Sequence, residues 1–183
     1  MRRALRLHPE AERGPVTRIE VEIARRRPAT LAITYELAGR IQELCIPSPA
    51  TPERTDGLWR HTCFEAFLRP AQGAGYLEIN LSPSGQWAAY RFGGYRASMS
   101  PLEALSPPVI EVVATPQALT LRSVIDLGGV PELAAGDWRL GLSAVIEDAA
   151  GSISYWALAH PAGKPDFHHA DGFACQVRAP EDA

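Results

Sequence analysis

The chain has 183 residues, a formal net charge of −3, 46% hydrophobic residues and 21% charged residues. This length suits one domain that buries its own core, and the composition excludes overall disorder. The charge balance lacks the positive field of a general nucleic-acid binder, and no stretch approaches the ~20 apolar residues of a membrane helix.

Residues 1–14, MRRALRLHPEAERG, carry two early arginines but no apolar run of the ~7–15 residues that a signal peptide needs. They read as a ragged N-terminus, and the expected location is the cytoplasm. In TRIEVEIA, Ile19, Val21 and Ile23 alternate with Arg18, Glu20 and Glu22, the period of a half-buried strand. TLAITYEL repeats the pattern with Leu31, Ile33, Tyr35 and Leu37. Further short runs follow over 40–46, 60–68, 75–82, 86–92, 109–114, 118–125, 137–147, 153–159 and 172–178. Turn-forming stretches separate them, such as PSPATPERTDG at 47–57, PAQGAG at 70–75 and DLGGVPELAAGD at 126–137. Helical periodicity is confined to single turns at 101–105 and 131–135.

Many short strands with close turn signals predict an all-β, single-domain antiparallel β-sandwich, jelly-roll-like, over 15–178, followed by a tail at 179–183. Fifteen Gly and 16 Pro fit such a turn-rich chain. Cys45, Cys63 and Cys175 form no CxxC pair and read as reduced thiols.

Two central segments break the rule of one apolar and one polar strand face. In WRHTCFEAFL, Phe64, Ala66 and Leu68 oppose Trp59, His61, Cys63, Glu65 and Phe67; in YLEINLSP, Leu77, Ile79 and Leu81 oppose Tyr76, Glu78, Asn80 and Ser82. A face mixing aromatic rings with carboxylate, amide and imidazole groups has the composition of a ligand groove. A second dense patch, SYWALAHPAGKPDFHHADGF, holds Trp156, the only lysine, Lys164, and Asp166 and His168 between prolines and glycines that order the loop. The 47–57 and 161–165 loops are expected to frame the groove.

The chain lacks GxSxG, HExxH, Walker and GxGxxG motifs, and no spacing demands a metal site. Glu65 and Glu78 could form a carboxylate pair across a hairpin, the arrangement of a glycan-modifying enzyme. Carboxylates on neighbouring strands also accept hydrogen bonds from sugar hydroxyls, and the reading favoured here has no catalysis and no cofactor.

The strings WRHTCFEAFLRP, YLEINLSPSGQWAAYRFGGYR and HPAGKPDFHHADGF resemble the small bacterial DOMON-like proteins, which are related to carbohydrate-binding module family 9. The resemblance is strongest over 58–96, extends to 155–173, and implies a sandwich of two antiparallel sheets that binds either a sugar or haem. On the sugar branch it implies a ring held between two tryptophans and bonded by a glutamate and an arginine. Trp59 and Glu65 match that spacing, with Trp156 and Arg91 placed by chain order. The expected site is then Trp59, His61, Glu65, Glu78, Asn80, Arg91, Trp156, Lys164, Asp166 and His168, taking a small carbohydrate or polyol. On the haem branch the resemblance implies Met/His ligation, with Met99 and a histidine, His61 first among the candidates.

Overall fold

A computed structural model describes residues 1–180 except Gln72 and Ala135, and omits the side chain of Arg26. The described residues form twelve strands: β1 (Arg2–Leu7), β2 (Val16–Arg27), β3 (Thr30–Gly39), β4 (Cys63–Pro70), β5 (Tyr76–Leu81), β6 (Trp87–Phe92), β7 (Ser100–Pro101), β8 (Val109–Ala114), β9 (Ala118–Asp126), β10 (Trp138–Glu147), β11 (Ile153–Ala157) and β12 (Cys175–Val177). All pair antiparallel. The strand order is β7-β6-β5-β4-β10-β11-β1-β2-β3-β9-β8, with β12 also on β10.

The sheet curls on itself into an antiparallel β-sandwich, and β1 is the strand that joins its halves. Arg2–Leu5 pair with β2 of the first sheet, while Arg6 and Leu7 pair with β11 of the second. The strand periodicity explains the packing. In β3, buried Leu31, Ile33, Tyr35 and Leu37 alternate with half-exposed residues, so one face meets the core. Phe64, Ala66, Leu68, Leu77, Ile79 and Leu81 oppose that face from the second sheet. Tyr35 spans the interface: its ring lies 4.9 Å from that of Phe64, and its hydroxyl donates to the Glu65 carbonyl at 2.7 Å.

Two sequence expectations change, and one is met. Residues 2–7, expected within a ragged terminus, form β1; the sequence hides this because RRALRL buries only Leu5. Residues 40–46, expected as a strand, contain a 3₁₀ turn at Ile41–Glu43, because Ile41 and Leu44 are the buried positions and their spacing is three, not two. The turn expected at 131–135 is a 3₁₀ turn at Pro131–Leu133. Part of the tail, 181–183, lies outside the described residues.

β4 and β5 position the candidate site. Residues Cys63–Leu68 and all of β5 are buried, so both faces of these strands are covered. One face meets the core. Chain segments around 56–60 and 158–173 cover the other.

Candidate functional site

Register builds the second face in rows. Ser143, Glu65, Asn80 and Ala88 stand side by side on β10, β4, β5 and β6; the next row is Gly141, Phe67, Glu78 and Tyr90; Tyr76 and Phe92 pair beyond it. The aromatic members form their own cluster with Phe173, flanked by Leu58 and Phe167. Tyr76 stacks on Phe92 with centroids 4.8 Å apart, and His168 meets the rings of Phe67 and Phe92 edge-on. Polar groups sit within this apolar surround: Glu65 is 3% exposed, Glu78 6% and Asn80 0%.

Their hydrogen bonds leave the cluster incomplete. Ser143 Oγ donates to Glu65 Oε2 at 3.1 Å, and Asn80 Nδ2 donates to Glu78 Oε1 at 2.8 Å. Among the described residues, no N–H or hydroxyl group donates to the fully buried Asn80 Oδ1. A buried amide oxygen without a donor costs about 1–3 kcal/mol. His168 Nε2 stands 3.7 Å from Glu78 Oε2, beyond hydrogen-bond length.

A network of bonds closes the far side. The Arg96 amide donates to the Tyr76 hydroxyl at 3.2 Å, and the same hydroxyl is hydrogen-bonded to His168 Nδ1 at 2.7 Å. Asp166 then fastens two loops together. It accepts from Tyr95 Oη at 2.5 Å and Arg96 Nη2 at 2.8 Å, and from its own loop through the His168 amide at 3.1 Å. Arg96 and Ser98 hold positive φ, 50° and 52°, a left-handed backbone that non-glycine residues adopt only where neighbours enforce it. On the near side, Tyr90 Oη donates to Asp56 Oδ1 at 2.6 Å, and the 3₁₀ turn Leu58–Arg60 rests on β4 and β5.

Burial sets the electrostatics. Desolvation, then the charge of Glu78, raises the Glu65 carboxyl to about 8, against the smaller opposing pull of Ser143. Desolvation also raises Glu78, while the Asn80 amide and the Arg96 charge pull it back. Burial, followed by the Arg96 charge, lowers His168 to about 4. At neutral pH the site therefore holds a protonated Glu65 and a neutral His168. Cys63, on the same face, is pushed up by burial and by Glu65, so it is an unreactive thiol.

The structure brings Glu65, Glu78, Asn80 and His168 together, with Asp166 clasping the loop above them. Trp59 lies on the turn over β4 and β5 and is 49% exposed. The other expected members lie elsewhere. Trp156 pairs with Ala144 on the core face and packs into the main core, because its strand parity is opposite to that of Ser143 and Glu65. Arg91 shares the register of Leu77, again the opposite face, and pairs with Glu132 at 2.6 Å. His61 bonds Glu147 at 2.7 Å near the end of β10, and Lys164 is exposed in its loop.

Met99 is 61% exposed and level with Phe92, since Ser100 pairs with Arg91. His61 precedes β4 at the other end of the sheet, at least six strand positions away, or roughly 20 Å at about 3.3 Å per residue. Met99 and His61 therefore do not meet as axial ligands of one iron. The expected open groove is also corrected. Phe167 and Gly172 close against Phe67, Gly141 and Ser143, leaving a depression too tight for a water molecule. Much of the 47–57 loop runs along β6, with Arg54 donating to the Ala89 and Leu102 carbonyls, rather than framing the polar cluster.

Sequence reasoning missed Ser143, Tyr95 and Arg96 as members of the site. A small polar signal existed in β10, where Gly141 and Ser143 interrupt an apolar strand. Nothing local marks Arg96, whose place depends on a loop 70 residues away.

No protein-family model matches the chain, and no curated protein matches it. Solved structures do share the fold. A protein from Bacteroides uniformis proposed to bind carbohydrate superposes with a TM-score of 0.67 at 12% identity, over 97% of this chain and 85% of that one. A family 9 carbohydrate-binding module from Caldicellulosiruptor kristjanssonii, solved with glucose, superposes with a TM-score of 0.54 at 9% identity, over 95% of this chain and 81% of that one. At these identities the likeness is one of fold.

Proposed function

We propose that the protein binds a small carbohydrate or polyol on the outer face of the second sheet, without catalysis. The observation that carries this reading is the buried, unsatisfied Asn80 Oδ1, on a residue that stands opposite Glu65 and bonds Glu78, on strands overlain by the turn that exposes the indole of Trp59. Sugars present CH faces that stack on indole and hydroxyls that donate to carboxylate and amide oxygens. The fold shared with a glucose-bound module supports the same reading. Because chain covers the polar cluster and leaves no open groove, binding requires that cover to part, and the ligand is a free sugar or a chain end, not the middle of a polymer.

The test is a fluorescence titration against a panel of free sugars. Of the four tryptophans, Trp87, Trp138 and Trp156 are buried, so the response should come from Trp59. A saturable change lost in Trp59→Ala, with the thermal midpoint held, is the expected outcome. A folded protein that responds to no sugar in the panel overturns the proposal.

A further inference from the structure

The polar cluster is rich in acceptors and poor in donors. Glu65 and Glu78 are both nine-tenths or more buried, yet among the described residues neither pairs with a lysine or arginine side chain. Arg96 is near enough to act on Glu78 through its charge, but its guanidinium is bonded to Asp166. His168, the remaining basic group facing Glu78, is neutral and too distant to donate. Ser143 and Asn80 supply the hydrogen bonds the carboxyl groups do receive. Asn80 stands directly opposite Glu65 in the β4–β5 register and within bonding distance of Glu78, so its free Oδ1 lies with both carboxyl groups.

Three acceptor groups, two carboxyl and one amide, are thus gathered where, among the described residues, the nearby cation, Arg96, is bonded to Asp166 instead. A hydroxyl brings one proton and two lone pairs, and the lone pairs would find few donors here. A protonated primary amine brings three N–H donors, no lone pair and a positive charge. Charge-assisted bonds of this kind are roughly twice as strong as neutral ones.

On the reading that this face is the sugar site, we infer that it selects an aminosugar, whose ammonium group bonds Glu65, Glu78 and Asn80 Oδ1 while its ring lies toward Trp59. The amine must bind as its cation, so Glu65 has to ionise. The Glu65 O–H bond breaks, its electron pair stays on the carboxylate, and the proton passes to the buffer. The amine keeps all three of its protons. The groups that face this pair and could alter the step are Cys63, Tyr76 and Tyr90, which stay neutral, together with Arg96 and His168.

Calorimetric titration at pH 6.5 with D-glucose, D-glucosamine and N-acetyl-D-glucosamine, each in two buffers of different ionisation enthalpy, tests the inference. Glucosamine should bind at least tenfold more tightly than glucose and release close to one proton. N-Acetylglucosamine, which lacks the charge, should do neither. Glu65→Gln, nearly isosteric, should abolish the proton release and reduce the preference for glucosamine to less than threefold. Glucose binding at least as well as glucosamine, or glucosamine binding without proton release, overturns the aminosugar inference and leaves the sugar site standing. Failure of all three sugars to bind the folded protein overturns both.

Discussion

Glu65 is held protonated at neutral pH by its place in the register: a row that buries it beside Asn80, with Glu78 in the next row and only Ser143 as a donor. Its folded value, about 8, lies above the ordinary carboxylate value of 4.5, so between these limits the folded state holds a proton that the unfolded state has lost. The stabilisation is complete below about pH 4.5 and is lost as pH rises toward 8, a swing of at most roughly 5 kcal/mol. Urea unfolding across pH 5–9 should show this decline, and Glu65→Gln should flatten it. A wild-type profile with no decline would refute the assignment. His168 has the opposite sign. Its folded value of about 4 lies below the ordinary 6.5, so its contribution falls as pH drops through that window.

At the scale of elements, the cover over the site consists of loops, and their order comes from side-chain bonds. Among the described residues no backbone–backbone hydrogen bond joins the 93–98 loop to the 163–170 segment; Asp166 joins them through Tyr95 and Arg96 while accepting from the His168 amide of its own segment. Hydrogen bonds to Tyr95 and Arg96 hold Asp166 below the usual carboxylate range in spite of burial, so it is ionised throughout the neutral region. Asp166→Ala should cost about 1–3 kcal/mol, as expected for losing bonds to a charged acceptor. It should also speed amide hydrogen exchange in 93–98 and 163–170 while leaving β2 and β3 protected. Unchanged exchange in those loops would show that ring packing around His168, not the Asp166 clasp, keeps the cover in place.

At the scale of the molecule, the sandwich depends on β1. This strand carries one fully buried side chain, Leu5, yet it closes ladders with β2 and β11 and so joins both sheets along one edge. Removing residues 1–7 would leave two strand edges unpaired, a surface prone to association. The truncated chain should lose its cooperative thermal transition by circular dichroism or form aggregates by light scattering; an unchanged midpoint would refute this role for β1. The same strand shows the limit of local reading, because RRALRL has almost no amphipathic signal and its pairing partners are distant in sequence. Period-two alternation in β2, β3, β4, β5 and β9, with turn residues between, was enough to determine an all-β sandwich and to mark Glu65, Glu78 and Asn80 as polar residues on an unusual strand face. Alternation reports which residues share a face, because successive side chains point to opposite sides of a strand. It cannot report what covers that face. Only the tertiary structure decided that Trp156 and Arg91 stand on the opposite face, and that a loop 70 residues along the chain clasps Arg96. It also decided that the expected groove is a closed cluster, since long-range pairing and loop packing set these distances and sequence spacing does not.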